Sequence, residues 1–280
     1  MTGQGSSVVV LESGIAASSV SWARVAPLVA GFATVVTYDR AGLGWSDLAP
    51  HSCTALDAAR DLAALLDTLG ILAPVVIAGH SFGALIARIF QQTYSDRVAG
   101  LVLADPVVRA EWRAMTPMLS RGVMLSRRGA TLARLGIVGL ALKLLISGSH
   151  TMPKMLARIS AGRGASVTER LTGEVRKMPA ELWPVVAWHW SQAKSFRAMA
   201  ASLESLPASV GQLDEQRPMG DLPLIVLSAA SASPLAMSEH EHDARLSDRG
   251  AHIVVPASGH WMQLDAPEAI AEAIRGLLIV

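Results

Sequence analysis

The sequence predicts an α/β fold in which about six mostly parallel strands form a twisted sheet flanked by helices. Continuous apolar runs rich in β-branched residues alternate with segments of helical spacing, as in strands covered on both faces. One such run leads through a Gly-x-Ser-x-Gly turn into an apolar helix. Strand runs are missing from 107–219, which predicts a helical insertion, a cap or lid, into a core built from 1–106 and 220–280.

The composition is that of a folded globular protein. Of the 280 residues 51% are hydrophobic and 17% are charged, and the formal net charge is +1. This balance, without a basic stripe that carries interleaved aromatics, gives no sign of nucleic-acid binding. The single cysteine, Cys53, excludes an intrachain disulfide and a zinc site built on cysteine ligands. No signal-peptide pattern precedes the first strand, so we expect a cytoplasmic protein, with no cofactor and no metal.

The first predicted strand covers 8–11 and leads into a loop of small residues, 12–19. A loop without bulky side chains lets backbone N–H groups face a ligand, so this one is a candidate half of an oxyanion hole. An ordinary flexible turn is the alternative. Helical spacing predicts a helix over 20–29, and the next strand is predicted at 34–38. For Asp39 just after it, an ion pair or a loop-ordering role is favoured over a functional one.

The stretch 74–90 contains the most informative motif. A buried strand leads into Gly79-His80-Ser81-Phe82-Gly83 and then into a helix with little polar surface. This order is the requirement for a nucleophile elbow, which holds a serine at a strained strand-to-helix corner. Gly79 and Gly83 are expected where a Cβ atom would collide with neighbouring backbone. The alternative is a turn serine that caps a helix.

Two further polar residues directly follow predicted strands. The strand at 100–104 ends in Asp105, and the last strand, at 252–256, is followed by a loop containing His260. Catalytic groups of parallel sheets lie where the strands emerge at their carboxyl ends, so both residues are expected on the same rim as Ser81. A turn-forming role before Pro106 is the alternative for Asp105.

The remaining polar clusters have simpler interpretations. The run from Glu239 to Asp243 shows no standard zinc spacing and is interpreted as a solvated helix face. Within the insertion, 132–146 is very apolar but too short to span a membrane, which favours a lid helix. Weak contact with a membrane surface, helped by Arg127 and Arg128, is the minor alternative.

Across almost its entire length the chain resembles the α/β-hydrolase superfamily. The resemblance rests on Gly79–Gly83, on the run Tyr38–Ser46 and on Ser258–Trp261. It implies a serine carboxylic-ester hydrolase with a catalytic triad of Ser81, Asp105 and His260 in the family's chain order, acting through an acyl-enzyme. A serine nucleophile disfavours the epoxide-hydrolase and haloalkane-dehalogenase branches, which require a carboxylate.

The resemblance also implies an oxyanion hole from the backbone N–H groups of Phe82 and Ile15. Asp243 is the alternative triad acid. Lactonase, thioesterase, amidase, carbon–carbon hydrolase and perhydrolase activities stay open, as does a non-catalytic small-molecule binder. Aromatic residues are candidates to line an apolar pocket for a small-molecule ester. These are Trp183, Trp188, Trp190 and Trp261.

Overall fold

A computed structural model describes residues 1–49, 53–146 and 176–278. Its six strands form one sheet in the order β2-β1-β3-β4-β5-β6, and every pair of neighbours is parallel. The predicted α/β class and the six strands are confirmed. The strands are β1 (Val8–Glu12), β2 (Thr34–Thr37), β3 (Val75–His80), β4 (Val98–Ala104), β5 (Leu224–Ala229) and β6 (Gly250–Val255).

Helices connect and flank these strands. They are α1 (Ala26–Ala30), α2 (Ala55–Thr68), α3 (Phe82–Thr93), α4 (Arg109–Trp112), α5 (Pro117–Arg134), α6 (Ile137–Ile146), α7 (Trp183–Ser191), α8 (Ala193–Gly211), α9 (Pro234–Ala244), α10 (Met262–Asp265) and α11 (Pro267–Leu278). Short 3-10 helices cover Ser19–Trp22, Ser95–Arg97 and Ala180–Leu182. None of the helices in the described ranges is long and apolar enough to cross a bilayer.

The strand order places a topological switch point between β1 and β3. From β1 the chain moves to β2 on one side, and it returns to β3 on the other side. Glu12, the last residue of β1, pairs with Gly79 near the end of β3. The small-residue loop after β1 therefore emerges beside the turn after β3, where open α/β sheets bind their ligands.

Alternate residues of the strands form the core on one face of the sheet. Val9 and Leu11 of β1 belong to the same buried cluster as Val76 and Ala78 of β3. The period of two is expected, because successive strand side chains point to opposite faces. Residues of α1, of α11, of the 3-10 helix Ser19–Trp22 and of the turn before α1 pack in this cluster, namely Trp22, Val25, Val29, Ile270, Ala271 and Ile274.

The helix predicted over 20–29 is replaced by two shorter pieces, the 3-10 helix Ser19–Trp22 and α1. Pro27 lies in the first turn of α1, where a backbone N–H makes no bond within the helix, so the missing N–H of proline costs nothing. In the interior of a helix over 20–29 the same proline would remove a hydrogen bond. The helical spacing puts Leu28 on a shared side with Trp22 and Val29, but Leu28 is 38% exposed whereas both of these are fully buried.

The chain divides into two compact units. The first consists of Met1–Tyr38, Cys53–Ala114 and Leu206–Val280, and it contains the whole sheet. The second consists of Asp39–Ser52 and Met115–Ser205, and its described elements are helices. Most of the predicted insertion, 107–219, falls in the second unit, and 147–175 lies outside the described residues. Its role as a cap stays a prediction.

Asp39 orders the first segment of the second unit, as expected. Its Oδ2 accepts a hydrogen bond from the backbone N–H of Trp45 at 3.0 Å, and its carbonyl accepts one from Ser46 Oγ at 2.6 Å. Gly44 has a φ of +49°, and a Cβ there would lie 2.0 Å from Asp39 Oδ2. The positive φ and the close carboxylate both favour glycine at this bend.

Candidate active site

Ser81 occupies the corner between β3 and α3. Its backbone has φ 54° and ψ −114°, a region that non-glycine residues rarely adopt, and the side chain is buried. The Ser81 N–H donates to the carbonyl of Ala104 at 3.0 Å, which ties the corner to β4. Strained backbone of this kind persists only where its surroundings fix it, and it is concentrated at functional sites.

The two glycines of the motif let three backbone segments meet at this corner. A Cβ on Gly79 would lie 2.4 Å from the carbonyl oxygen of Gly83, and one on Gly83 would lie 2.3 Å from that of Glu12. Both obstacles are backbone atoms, which cannot rotate away as a side chain can. The predicted steric reason for these glycines is confirmed.

Asp105 and His260 are brought together by a short hydrogen bond, with Asp105 Oδ2 2.6 Å from His260 Nδ1. Asp105 follows β4 directly, and because His80 pairs with Ala104, it emerges beside Ser81. Its Oδ1 accepts a second bond from the backbone N–H of Ala229 at 3.0 Å. Each carboxylate oxygen thus has a donor.

Burial acts to raise the pKa of Asp105, but the hydrogen bonds from His260 and Ala229 favour the charged form. The balance leaves the pKa of this carboxyl below its usual value. Asp105 is therefore ionised at neutral pH, and it holds the proton of His260 on Nδ1 so that Nε2 is free to accept one.

His260 lies on the loop after β6, as predicted, and its side chain is half exposed. Asp265 Oδ2 accepts from the N–H of Gly259 at 2.9 Å, and the carbonyl of His260 itself accepts from His80 Nε2 at 2.6 Å. The main chain of His260 is thereby held on both sides. The second of these contacts was not predicted, although a lone histidine inside an apolar strand is a signal that it requires a partner.

Asp243, the alternative acid, is bound elsewhere. It is fully buried, and its carboxylate lies 2.7 Å from Arg88 Nη1 and 2.7 Å from Arg109 Nη1. The predicted solvated face at Glu239–Asp243 is accordingly wrong, since His240 is buried too. Arg88, an isolated cation in the apolar helix α3, was the sequence signal for such a partner, because a buried charge requires one.

No group of three or more His, Cys, Asp or Glu side chains within the described ranges is arranged to hold a metal ion. His240 is instead joined to Ser228 Oγ at 2.7 Å and to the carbonyl of Pro106 at 3.0 Å. The two ring nitrogens of His240 thus connect α9 to β5 and to the segment after Asp105 by hydrogen bonds.

Comparison with known proteins identifies the family. The model of the alpha/beta hydrolase family matches residues 8–273. The chain belongs to this family.

Curated relatives of this alpha/beta hydrolase match over short segments. The probable transporter efuK of Hormonema carpetanum is 33% identical over 105 residues, which are 36% of this chain and 15% of the relative. Lipase LipV of Mycobacterium tuberculosis is 53% identical over 47 residues, which are 17% of this chain and 18% of the relative. The chain thus spans less than a fifth of the length of either relative.

Among solved structures, a thermophilic esterase from Thermogutta terrifontis is similar with a TM-score of 0.67 and 24% identity. The similarity covers 99% of this alpha/beta hydrolase and 91% of the esterase. At this identity the likeness shows the shared fold.

The two oxyanion candidates of this hydrolase lie on either side of the switch point. Phe82 is the first residue of α3 and is buried, and Ile15 lies partly buried in the loop after β1. Within that loop Ala16 has a φ of +57°, and Ser13 Oγ donates to the carbonyl of Ser18 at 3.3 Å. The loop is therefore a defined turn.

The pocket candidates of the hydrolase belong to both units. Trp261 precedes α10, and its ring centroid lies 6.0 Å from that of His80 in the first unit. Within the second unit, Trp183 Nε1 donates to the carbonyl of Met178 at 3.1 Å, and Trp188 is 46% exposed beside Trp45. Trp190 packs against Phe196 instead, with ring centroids 5.4 Å apart.

Proposed function

We propose that this chain is a serine hydrolase that cleaves carboxylic esters with Ser81 as nucleophile, His260 as general base and acid, and Asp105 as the orienting acid. The hydrogen bond of 2.6 Å between Asp105 and His260 carries the proposal. These residues follow two different strands, β4 and β6, and the bond brings them together at the edge of the sheet where Ser81 lies. A buried carboxylate on one nitrogen of an exposed imidazole is the arrangement that makes the other nitrogen a base.

In the first half of the reaction, His260 Nε2 takes the proton of Ser81 as Oγ attacks the ester carbonyl. The carbonyl carbon becomes tetrahedral, and its oxygen becomes an oxyanion. His260 then gives the proton to the leaving alcohol, the carbon–oxygen bond breaks, and an acyl group stays on Ser81. Water attacks this acyl-enzyme with His260 again as base, which releases the acid and restores the serine.

Asp105 contributes without taking the proton. Its position on Nδ1 selects the tautomer in which Nε2 can accept, and its negative charge stabilises the imidazolium that forms. The pKa of Asp105 lies below its usual value despite burial, which keeps it charged at the working pH of such a reaction.

We assign the oxyanion to the backbone N–H groups of Phe82 and Ile15. The switch point supports this pair, because the loop after β1 and the start of α3 emerge side by side there. The N-terminus of α3 also favours negative charge. Trp261 is our candidate for the acyl site in the first unit, whereas a lining role for Trp183 and Trp188, a cap over 107–219 and weak membrane-surface contact through Arg127 and Arg128 stay predictions.

A phosphonate label tests the nucleophile directly. Intact-mass spectrometry after incubation with a small fluorophosphonate is expected to show one adduct on the native chain and none on Ser81→Ala. Turnover of p-nitrophenyl acetate should fall roughly 10⁴-fold or more in the same variant. Ser95→Ala is the matched control, because this exposed serine lies beyond the far end of α3. A native chain that is folded but neither labelled nor active would refute the proposal and favour the non-catalytic binder.

Turnover of matched ester, thioester, amide and lactone substrates separates ester cleavage from the other hydrolase activities. A higher kcat/KM for a thioester, amide or lactone than for the matched ester would refute ester cleavage as the main activity, while the assignment of Ser81 as nucleophile would stand.

A further inference from the structure

His80, the residue before the nucleophile, has a contact that the proposed chemistry does not use. Its ring is buried, 3% exposed, at the end of β3, and Nε2 lies 2.6 Å from the carbonyl oxygen of His260. A carbonyl can only accept, so Nε2 carries the proton and Nδ1 is bare. The contact runs from the residue next to Ser81 to the main chain of His260.

The protonation state of His80 is fixed by its surroundings. Burial, and after it the neighbouring His260, lowers the pKa of His80 to about 3. The imidazole is therefore neutral throughout the range in which ester hydrolases are assayed. It donates one hydrogen bond from Nε2 at every such pH.

The opposite edge of the His80 ring is also confined. A Cβ on Gly14, in the loop after β1, would lie 2.9 Å from His80 Nδ1. Nδ1 has no hydrogen-bond partner among the described residues. Within the described part of the chain, the ring thus lies against the loop after β1 without a hydrogen bond on that edge, and its one hydrogen bond is directed to His260.

Three contacts then set where His260 stands. Asp105 binds its Nδ1 and controls the rotation of the ring, while His80 binds its carbonyl and Asp265 accepts from the N–H of the preceding Gly259. Because His80 and Ser81 are consecutive in the chain, the second contact fixes the main chain that carries the base relative to the main chain that carries the nucleophile.

We propose that His80 is a positioning residue that holds the His260 loop in register with Ser81 through the hydrogen bond to the His260 carbonyl. Its catalytic consequence rests on the proposed function. The requirement is specific for a donor at the place of Nε2, since a side chain of similar volume without that donor leaves the His260 carbonyl unpaired and the loop held on the Asp265 side alone. A displacement of about 1 Å in a reacting group can lower the rate about 100-fold.

Two amide variants test this requirement with matched polarity. In His80→Gln the side-chain N–H₂ can occupy the place of Nε2 and donate to the His260 carbonyl. In His80→Asn it reaches only the place of Nδ1, towards Gly14. We expect His80→Gln to retain kcat within about threefold, and His80→Asn to lose about 10- to 100-fold in kcat with little change in KM.

The pH profile and melting temperature separate positioning from mere stability. His80→Asn places a buried N–H₂ where no acceptor lies among the described residues and should melt below His80→Gln, so kcat is compared at a temperature well below both Tm values. There the loss of kcat in His80→Asn should be the same at each pH, because His80 does not titrate in this range. Equal kcat in the two variants, or a loss of kcat that follows Tm, would overturn the proposal.

A measurement on the native chain covers the case in which a variant does not fold. With ¹⁵N-labelled histidine, NMR should show His80 with a protonated Nε2 and a bare Nδ1 from about pH 5 to about pH 9. A His80 ring that titrates near its ordinary pKa, or that protonates Nδ1, would refute the contact. Failure of the proposed function is distinguishable, since the native chain would then take up no fluorophosphonate although the NMR signature of His80 is present.

Discussion

Replacing Asp105 with asparagine should abolish most of the activity by reversing the tautomer of His260. The backbone N–H of Ala229 donates to Asp105 Oδ1, so in the variant this donor requires the amide oxygen. The amide N–H₂ group then faces His260 Nδ1, which lies 2.6 Å from Oδ2 in the native protein. Nδ1 must accept a hydrogen bond, the proton moves to Nε2, and the base is lost.

The opposite orientation of the amide is unfavourable. It would place N–H₂ against the N–H of Ala229, and a buried donor without an acceptor costs about 1 to 3 kcal/mol. The tautomer is therefore reversed in most molecules. We expect kcat for p-nitrophenyl acetate to fall about 10⁴-fold, as in triads that lose the acid's charge while keeping its shape. That corresponds to about 5.4 kcal/mol in activation free energy.

The assay compares kcat and the rate of fluorophosphonate labelling in native protein, Asp105→Asn and Asp61→Asn. Asp61 is exposed on α2, so its variant controls for the change of charge. The circular-dichroism spectrum and Tm of Asp105→Asn should remain close to native. Retention of kcat within tenfold of native in Asp105→Asn would refute this account of the base.

Two further predictions concern stability. Asp243→Ala removes the carboxylate that the buried Arg88 and Arg109 share, and it should lower the free energy of unfolding by about 3 to 5 kcal/mol. The control Glu204→Ala breaks an exposed pair with Arg127 and should change the free energy of unfolding by less than about 1 kcal/mol. Urea denaturation of both variants measures the two changes, and equal effects would contradict the prediction. Burial, as the chief cause, lowers the pKa of His80 from 6.5 to about 3, so above pH 6.5 the ring is neutral in both states and its titration has no effect on stability. As the pH falls from 6.5 towards 3 only the unfolded chain takes up this proton, which should lower the free energy of unfolding by roughly 5 kcal/mol across that window. His80→Gln should therefore flatten the dependence of unfolding free energy on pH in this window, and a slope that is unchanged would show that other groups cause it.

The sequence was sufficient to predict the sheet, because strands and tight turns depend on local patterns. Continuous apolar runs rich in β-branched residues indicate strands covered on both faces of a sheet. Glycine is required at positions 79 and 83 because any side chain there would collide with backbone atoms. The rim position of Asp105 and His260 follows from each lying just after a strand of a parallel sheet.

Ion pairs between residues far apart in the chain could not be predicted from local sequence patterns. The charges from Glu239 to Asp243 look like those of a solvated helix, and only the fold brings Arg88 and Arg109 to Asp243 from distant parts of the chain. The break at Pro27 shows the same limit on a smaller scale. The helical periodicity over 20–29 predicts one helix, but Pro27 is tolerated only in the first turn of a helix. A new helix therefore begins at Ala26.

The buried cluster of Arg88, Arg109 and Asp243 makes the pieces of the site unfold together. Arg88 lies on the helix that begins after Ser81, Arg109 follows the turn that contains Asp105, and Asp243 lies on α9. Moving Arg88 away from Asp243 leaves a buried guanidinium without its carboxylate, whereas Arg109 also pairs with Glu215 and Glu239, so opening between α3 and α9 carries the larger electrostatic loss. Ser81 and Asp105 are thus expected to belong to one cooperative unit, and local fluctuations should leave their spacing intact until that unit opens as a whole.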